Sequence, residues 1–325
     1  MKVLVTGANG LLGHHVVMEL IEQGRSVKII VRSKENIHFD LNRVETVIGN
    51  FIDYETLKFA AQDCDAIIHI GAVTATNLLY YEDYRHVNTS GSATVIQVAN
   101  DCRINSIVFI STANTIGFGT KYCLSDENSP IQFPFSKSFY ARSKAEAEKL
   151  FTEASKNSGK HIIIINPTFM IGDYDVKPSS GKLMLMSYKK KFIFVPSGGK
   201  DFVSVKAVAT AVCNALEGGR NGERYLFSGR NMSFAEFYEL QSRVGDYEQK
   251  IITVPDFLLE MAAKFGDLLR LFGVKTDLCS MNINQLLIQE FYSNKKAVAE
   301  LQLPEYKIED AIGEALKWFK TNKYV

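Results

Sequence analysis

A tyrosine four residues ahead of a lysine, as in Tyr140-Ala-Arg-Ser-Lys144, is a pair that can move protons. Positions i and i+4 share one face of a helix. An ammonium beside a phenol favours the phenolate, which predicts a tyrosine pKa lowered from about 10 toward the working range. Such a phenol exchanges a proton with a hydroxyl or a carbonyl oxygen. Spacing alone does not select the site, because Tyr54–Lys58 and Tyr292–Lys296 make three matches in all. Context selects. Tyr140 opens a long helix that follows an apolar run ending Phe109-Ile-Ser-Thr-Ala113. Ser111 and Thr112 then stand at the carboxyl end of a strand, where open α/β sheets bind ligands. A hydroxyl there holds a substrate oxygen within reach of Tyr140.

The elements that must position these groups can be read from the apolar runs. Strands are expected at Lys2–Val5, Val27–Val31, Thr46–Ile48, Ala66–Ile70, Ile107–Ile110 and Ile162–Ile165. Amphipathic helices fall between them, near Leu11–Gln23, Tyr54–Gln62, Val87–Cys102 and Phe139–Ser158. This alternation marks βαβ units, hence a Rossmann-type, doubly wound parallel sheet of the α/β class. After Pro167 the pattern loosens into loops and the helices Phe234–Val244, Pro255–Phe272 and Ile283–Phe291. We therefore expect a first domain over residues 1–168, with 203–228 returning to it. Residues 169–325 would form a smaller, mostly helical substrate domain.

The first strand runs into Thr6-Gly-Ala-Asn-Gly-Leu-Leu-Gly13. Gly7 permits a tight turn, Gly10 lets backbone approach a pyrophosphate, and Gly13 lets the helix pack on the strand. The helix N-terminus adds free N–H groups and the positive end of a dipole. Strand before and helix after are what a dinucleotide site requires, and Gly7, Asn9, Gly10, Leu11, Leu12 and Gly13 are its candidate residues.

The end of the second strand decides between the two nicotinamide dinucleotides. An NAD site usually places Asp or Glu there, on the ribose 2′-hydroxyl. Here the strand ends Val31-Arg32-Ser33-Lys34, with no acid. Arg32 can pair bidentately with a 2′-phosphate, which favours NADP, with NAD as the alternative. The third strand ends Gly49-Asn50-Phe51, where adenine would lie, and Asn50 can bond its amino group. Asp53 reads as a helix cap. Gly71 and Ala72 are small residues at the next strand end, where backbone can pass close to a ligand, and His69 reads as a packed strand residue.

Composition excludes other partners. The net charge of +1 gives no reason to expect nucleic acid or an anionic membrane. No apolar run reaches the roughly 18 residues of a membrane span. The five scattered cysteines read as reduced thiols, and the strand beginning at Lys2 leaves no room for a signal peptide, so a cytoplasmic protein is expected. The six histidines show no metal-ligand spacing, so no metal is expected, and His14 and His15 read as surface and packing residues.

In this ordered set the chain resembles the extended short-chain dehydrogenase/reductase family. The matching pieces are Thr6–Gly13, His69-Ile-Gly-Ala72, Asn88-Thr-Ser-Gly91, Ser111-Thr112, Tyr140–Lys144 and Asn166-Pro-Thr-Phe-Met-Ile-Gly172, with a later Tyr292-Ser-Asn-Lys-Lys-Ala297. The resemblance implies Thr112 as the substrate-oxygen hydrogen-bonder, Tyr140 as acid/base and Lys144 on the nicotinamide ribose. It also implies Asn88 as an order-giving residue at the sheet edge, and Pro167 beside the cofactor. The Val31-Arg32-Ser33 strand end is similar to the dihydroflavonol 4-reductase branch, with the 3β-hydroxysteroid dehydrogenases nearby. One departure is Lys206-Ala207, where the family commonly carries an acid, which puts the usual interdomain capping in doubt.

These readings lead to an NADP(H)-dependent oxidoreductase acting on a small carbonyl or alcohol. A nucleotide-sugar epimerase or dehydratase is the alternative on the same fold, and a non-catalytic dinucleotide sensor is a second. Nucleotide-sugar members typically carry an asparagine at the position of Phe169, where an aromatic ring offers nothing to a diphosphate. Val73, Phe169 and Met170 are the candidate walls of an apolar pocket. A homodimer is compatible with the resemblance, and the physiological substrate is not legible.

Overall fold

The computed structural model describes residues 1–75 and 77–325 of the chain. Six strands of the first half build its frame: β1 (Lys2–Thr6), β2 (Ser26–Val31), β3 (Val44–Ile48), β4 (Ala66–His69), β5 (Ser106–Ile110) and β6 (His161–Pro167). The next three, β7 (Phe169–Ile171), β8 (Phe192–Val195) and β9 (Gly199–Ser204), lie outside that sheet. β10 (Arg224–Phe227) then returns to complete it, in the order β10-β6-β5-β4-β1-β2-β3 with every pair parallel.

Alternation along each strand explains why both faces are covered. Val3, Val5, Ile29, Val31, Ile163 and Ile165 enter one core, while Leu4, Ile30, Ile107, Phe109, Ile162 and Ile164 enter the other. Each such burial is worth about 1.5–3 kcal/mol, so neither face can stay bare. The first face is covered by α1 (Leu11–Glu22), and the second by α2 (Tyr54–Ala61), α4 (Gly91–Asp101) and α5 (Phe139–Asn157). This is the doubly wound α/β architecture expected from the sequence.

Some boundaries differ. The helix expected from Val87 begins six residues earlier, with the single turn α3 (Tyr81–Tyr84). Residues Arg85–Ser90 are then wound as a π-helix before α4. Such one-turn widenings recur near functional sites, and this one carries Asn88. The helix expected over 283–291 is instead α10 (Ser280–Leu287) followed by the short strand β13 (Gln289–Glu290).

The second region has helices where two were expected, α8 (Phe234–Val244) and α9 (Asp256–Leu271), followed by α10, and two that were not expected, α6 (Gly181–Ser187) and α12 (Ile308–Thr321). It also contains two small sheets. One joins β7, β9, β11 (Arg230–Ser233) and β13, and the other pairs β8 with β12 (Lys250–Thr253). These strands run two to six residues, too short for an alternation to show against loop composition. Val203, α7 (Val205–Asn214), Tyr225 and Phe227 pack into the first core. Ala297 and Leu301 of α11 (Lys295–Leu301) and Leu303 pack there too, so part of the C-terminal third belongs to the first domain's core.

The two adjacent histidines are not surface residues. His14 and His15 are buried, and His14 stacks on Tyr174 with ring centroids 5.5 Å apart while its Nδ1 bonds the Gly10 carbonyl at 3.0 Å. Burial pushes His14 down to about 4, so it is a neutral packing residue joining the glycine turn to the second region. At the departure from the family pattern, Lys206 donates to Glu314 at 2.6 Å and ties α7 to α12.

Candidate active site

The sheet order reverses between β1 and β4, which opens a crevice at their carboxyl ends. There Gly7 turns the chain with φ +72°, and a Cβ on it would stand 2.7 Å from the Gly71 nitrogen. A Cβ on Gly13 would stand 2.1 Å from the Gly7 carbonyl, so helix and turn touch backbone to backbone. Gly10 has room, its nearest neighbour being the Gly7 oxygen at 3.4 Å. The N–H groups of Leu11, Leu12 and Gly13 precede the first intrahelical bond, His14 to Gly10 at 3.0 Å. Leu12's side chain is core, so only its backbone can serve a phosphate. Asn9 is partly exposed at the rim. The cradle suits a dinucleotide's pyrophosphate.

Thr6 locks the two strand ends together. Its hydroxyl contacts His69 Nδ1 at 2.8 Å and accepts from the Ile70 and Gly71 nitrogens at 3.2 and 3.1 Å. Burial drives His69 down to about 3, as befits a packed strand residue. Arg32, at the end of β2, is exposed and makes no hydrogen bond or ion pair among the described residues. Asn50 uses its carbonyl in a turn, accepting from Ile52 at 3.4 Å. The Phe51 ring faces inward against His69, with centroids 5.1 Å apart, and under Gly71. Phe51 thus braces the crevice floor. Asp53 caps α2, accepting from Thr56 at 2.8 Å.

Beyond Gly71 and Ala72, Val73 is clamped by Asn88. Asn88 accepts from the Val73 nitrogen at 2.8 Å and donates to its carbonyl at 3.0 Å. The same amide donates to the Ser143 hydroxyl at 3.0 Å, and Ser143 donates to the Tyr140 carbonyl at 2.8 Å. Ser143, not singled out from the sequence, therefore connects the β4 edge to Tyr140.

Thr112 follows β5 and caps a short 3₁₀ turn, accepting from Asn114 at 3.3 Å. Its hydroxyl stands near the Tyr140 phenol and favours the ionised form. The structure thus brings Thr112, Tyr140 and Lys144 to one edge, but their charges differ from expectation. Burial pushes Tyr140 up to about 12, with the Thr112 hydroxyl opposing. Burial also pulls Lys144 down to about 7, against Glu148. The cause is placement. Lys144 Nζ donates to the Ile110 carbonyl at 2.7 Å and lies 4.1 Å over the Phe109 ring, so it does not neutralise a phenolate. A phenol that keeps its proton at neutral pH is an acid, ready to donate to a carbonyl oxygen.

The other two tyrosine–lysine pairs lie elsewhere. Lys58 does touch Tyr54, at 3.1 Å, but the phenol donates to Asp101 at 2.5 Å in the outer helical layer. Lys296 turns to Glu223 and the Arg224 carbonyl at 2.8 and 2.6 Å, away from Tyr292. The Tyr292 hydroxyl is buried without a partner among the described residues. An unsatisfied buried hydroxyl costs about 1–3 kcal/mol. Tyr292→Phe is therefore expected to leave stability unchanged or raise it, and a lower urea midpoint would show that the hydroxyl is bonded.

Phe169 and Met170 do not form one wall. They alternate on β7, Phe169 toward Phe202 with centroids 5.6 Å apart in a separate core of the second region, Met170 toward the first core of the large sheet. Lys200 lies 5.8 Å from the Phe169 ring but is ion-paired with the buried Glu290. Pro167 closes β6 beside Phe227.

A family model for the NAD dependent epimerase/dehydratase family matches residues 3–227. A putative dihydroflavonol 4-reductase of Synechocystis sp. is 27% identical over 99% of this chain and 95% of its own length. The 4-hydroxy-2-methyl-3-oxo-4-farnesyl-3,4-dihydroquinoline-1-oxide ketoreductase of Stigmatella aurantiaca is 30% identical over 82% of this chain and 80% of its own. Among solved structures, gox2253 superposes with a TM-score of 0.84 at 24% identity, covering 99% of this chain and 98% of that one. The glycine cradle and the reversed sheet order accord with these matches, and the chain belongs to the NAD-dependent epimerase/dehydratase family, as an NAD(P)-dependent oxidoreductase of the extended short-chain dehydrogenase/reductase type.

Proposed function

We propose that the protein reduces a carbonyl, or oxidises the matching alcohol, of a small and largely apolar substrate with NADP(H). The observation that carries the apolar reading is the surrounding of Phe169. Where nucleotide-sugar members place an amide donor, this chain has a ring, and the nearby cation Lys200 is neutralised by Glu290. A diphosphate would find neither a donor nor an unpaired charge in Phe169 and Lys200. The names of two relatives, a dihydroflavonol reductase and a farnesyl-dihydroquinoline ketoreductase, agree with an apolar carbonyl.

In this reading the Thr112 hydroxyl holds the substrate oxygen and Tyr140 donates its proton to it. Lys144 orients the nicotinamide ribose, and Gly7 to Gly13 hold the pyrophosphate. NADPH, when bound, supplies the hydride. Arg32 selects the 2′-phosphate. The cysteines, free among the described residues, suit a reducing compartment, the cytoplasm.

Isothermal titration of the NADP complex with UDP, UDP-glucose and dTDP-glucose tests the substrate class. No saturable binding is expected. Micromolar binding of any of the three would replace the reductase reading with the epimerase one. A turnover screen of apolar ketones and aldehydes with NADPH should find the substrate in the first case only.

A further inference from the structure

Behind the reacting edge lies a second set of buried polar groups. Glu148 stands one turn beyond Lys144 on α5 and is almost fully buried, at 5% exposure. Its Oε1 accepts from the Thr115 hydroxyl and from the Asn166 amide, both at 2.6 Å. Both partners also hold Thr112. The Thr115 hydroxyl contacts the Thr112 carbonyl at 2.8 Å, and the Asn166 amide donates to it at 3.1 Å. One carboxylate oxygen of α5 thus holds two residues, Thr115 after β5 and Asn166 of β6, that both reach the Thr112 carbonyl.

We propose that Glu148 is a positioning residue of this site, a single carboxylate that fixes the turn carrying Thr112 and serves as counter-ion to Lys144. The proposal rests on the reading of Thr112, Tyr140 and Lys144 as the site. Charged and titratable groups around Lys144 are few. His69 faces it from β4 and is neutral, and Arg224 of β10 reaches Glu148 Oε2 at 3.7 Å. That guanidinium also donates to the Glu127 carbonyl, so it leaves Oε1 to the Thr112 turn. Burial lowers the Lys144 pKa, and the charge of Glu148 is the influence that opposes it. Lys144 and Glu148 sit four residues apart on one face of α5, both buried, and charges so placed are little screened even without direct contact.

The test is the pH dependence of NADPH affinity, read by fluorescence on the full chain. A neutral Lys144 no longer attracts the ribose, so binding weakens above its pKa. Glu148→Gln should move that weakening toward lower pH by about one unit, with wild-type affinity on the acid side. Glu148→Asp keeps the charge and should leave the limb near its wild-type position. Thr115→Val cuts the link to Thr112 and should lower turnover of a given carbonyl without moving the limb. The proposal falls if Glu148→Gln and wild type share one limb, or if Glu148→Asp shifts it as far as Gln does. Should Glu148→Gln fail to fold, the proposal stands only if the Asp variant keeps the limb and Thr115→Val lowers turnover alone. Lys144→Met separates the two levels, because an unchanged limb in that variant would refute the site itself and not merely the role of Glu148.

Discussion

Tyr140→Phe should lower kcat by about 10²–10⁴-fold, the usual range for losing a positioned acid or base, and leave NADPH affinity close to wild type. The expectation follows from the phenol's protonation. Held near 12 by burial, Tyr140 carries its proton across the neutral range and has the Thr112 hydroxyl beside it. A ring without the oxygen keeps the packing of α5 and removes only the donor. Tyr54→Phe serves as the control, since its phenol is occupied with Asp101 and Lys58 outside the crevice. Turnover of an apolar ketone with NADPH is the measurement. A fully active Tyr140→Phe enzyme would remove the acid assignment, and an equal loss in Tyr54→Phe would show that the assay is reading stability.

The charge state also bears on direction. A protonated phenol serves reduction, in which a carbonyl oxygen must receive a proton. Oxidation of an alcohol asks for a phenolate, and the structure raises the phenol's pKa above its ordinary value. Alcohol oxidation by this enzyme should therefore rise with pH while carbonyl reduction does not.

How far the sequence could be read follows from the range of the interactions involved. The β1–turn–α1 unit was legible because each of its constraints is local: Gly13 meets Gly7 across a single turn. Tyr140 was legible only through context, since the bare spacing pointed equally to three places. The structure reverses one inference from that spacing. An i, i+4 neighbour can approach a phenol, but Lys144 finds the Ile110 carbonyl and the Phe109 ring first. The inward turn of Phe51 was likewise not visible, because it depends on Gly71 and His69, which arrive from another strand. The carboxylate network is longer in range still. Glu148 meets Asn166 and Thr115 from different elements, and no periodicity in the chain registers that meeting. Its only local trace was an acid one turn beyond Lys144. The small sheets of the second region stayed hidden because pairing, not side-chain pattern, makes strands of three or four residues.

Arg32→Ala should weaken NADPH by about ten- to a hundredfold and leave NADH almost unaffected, as expected for losing a charge-assisted contact of about 1.5–3 kcal/mol. The argument has two parts. The strand end lacks the carboxylate that would bond a 2′-hydroxyl and repel a 2′-phosphate. The guanidinium that stands there is exposed and carries no ion pair among the described residues, so a phosphate would not have to displace a protein partner. Exposure also limits the effect. Salt screens an exposed pair within about 10 Å at 0.1 M, so the preference for NADPH should shrink as ionic strength rises. A buried bidentate site would show little of that dependence. Dissociation constants of both cofactors, for wild type and Arg32→Ala at low and high salt, decide the matter. If wild type binds NADH as tightly as NADPH, or if the substitution leaves their ratio unchanged, Arg32 is a solvated strand end and the cofactor is chosen elsewhere.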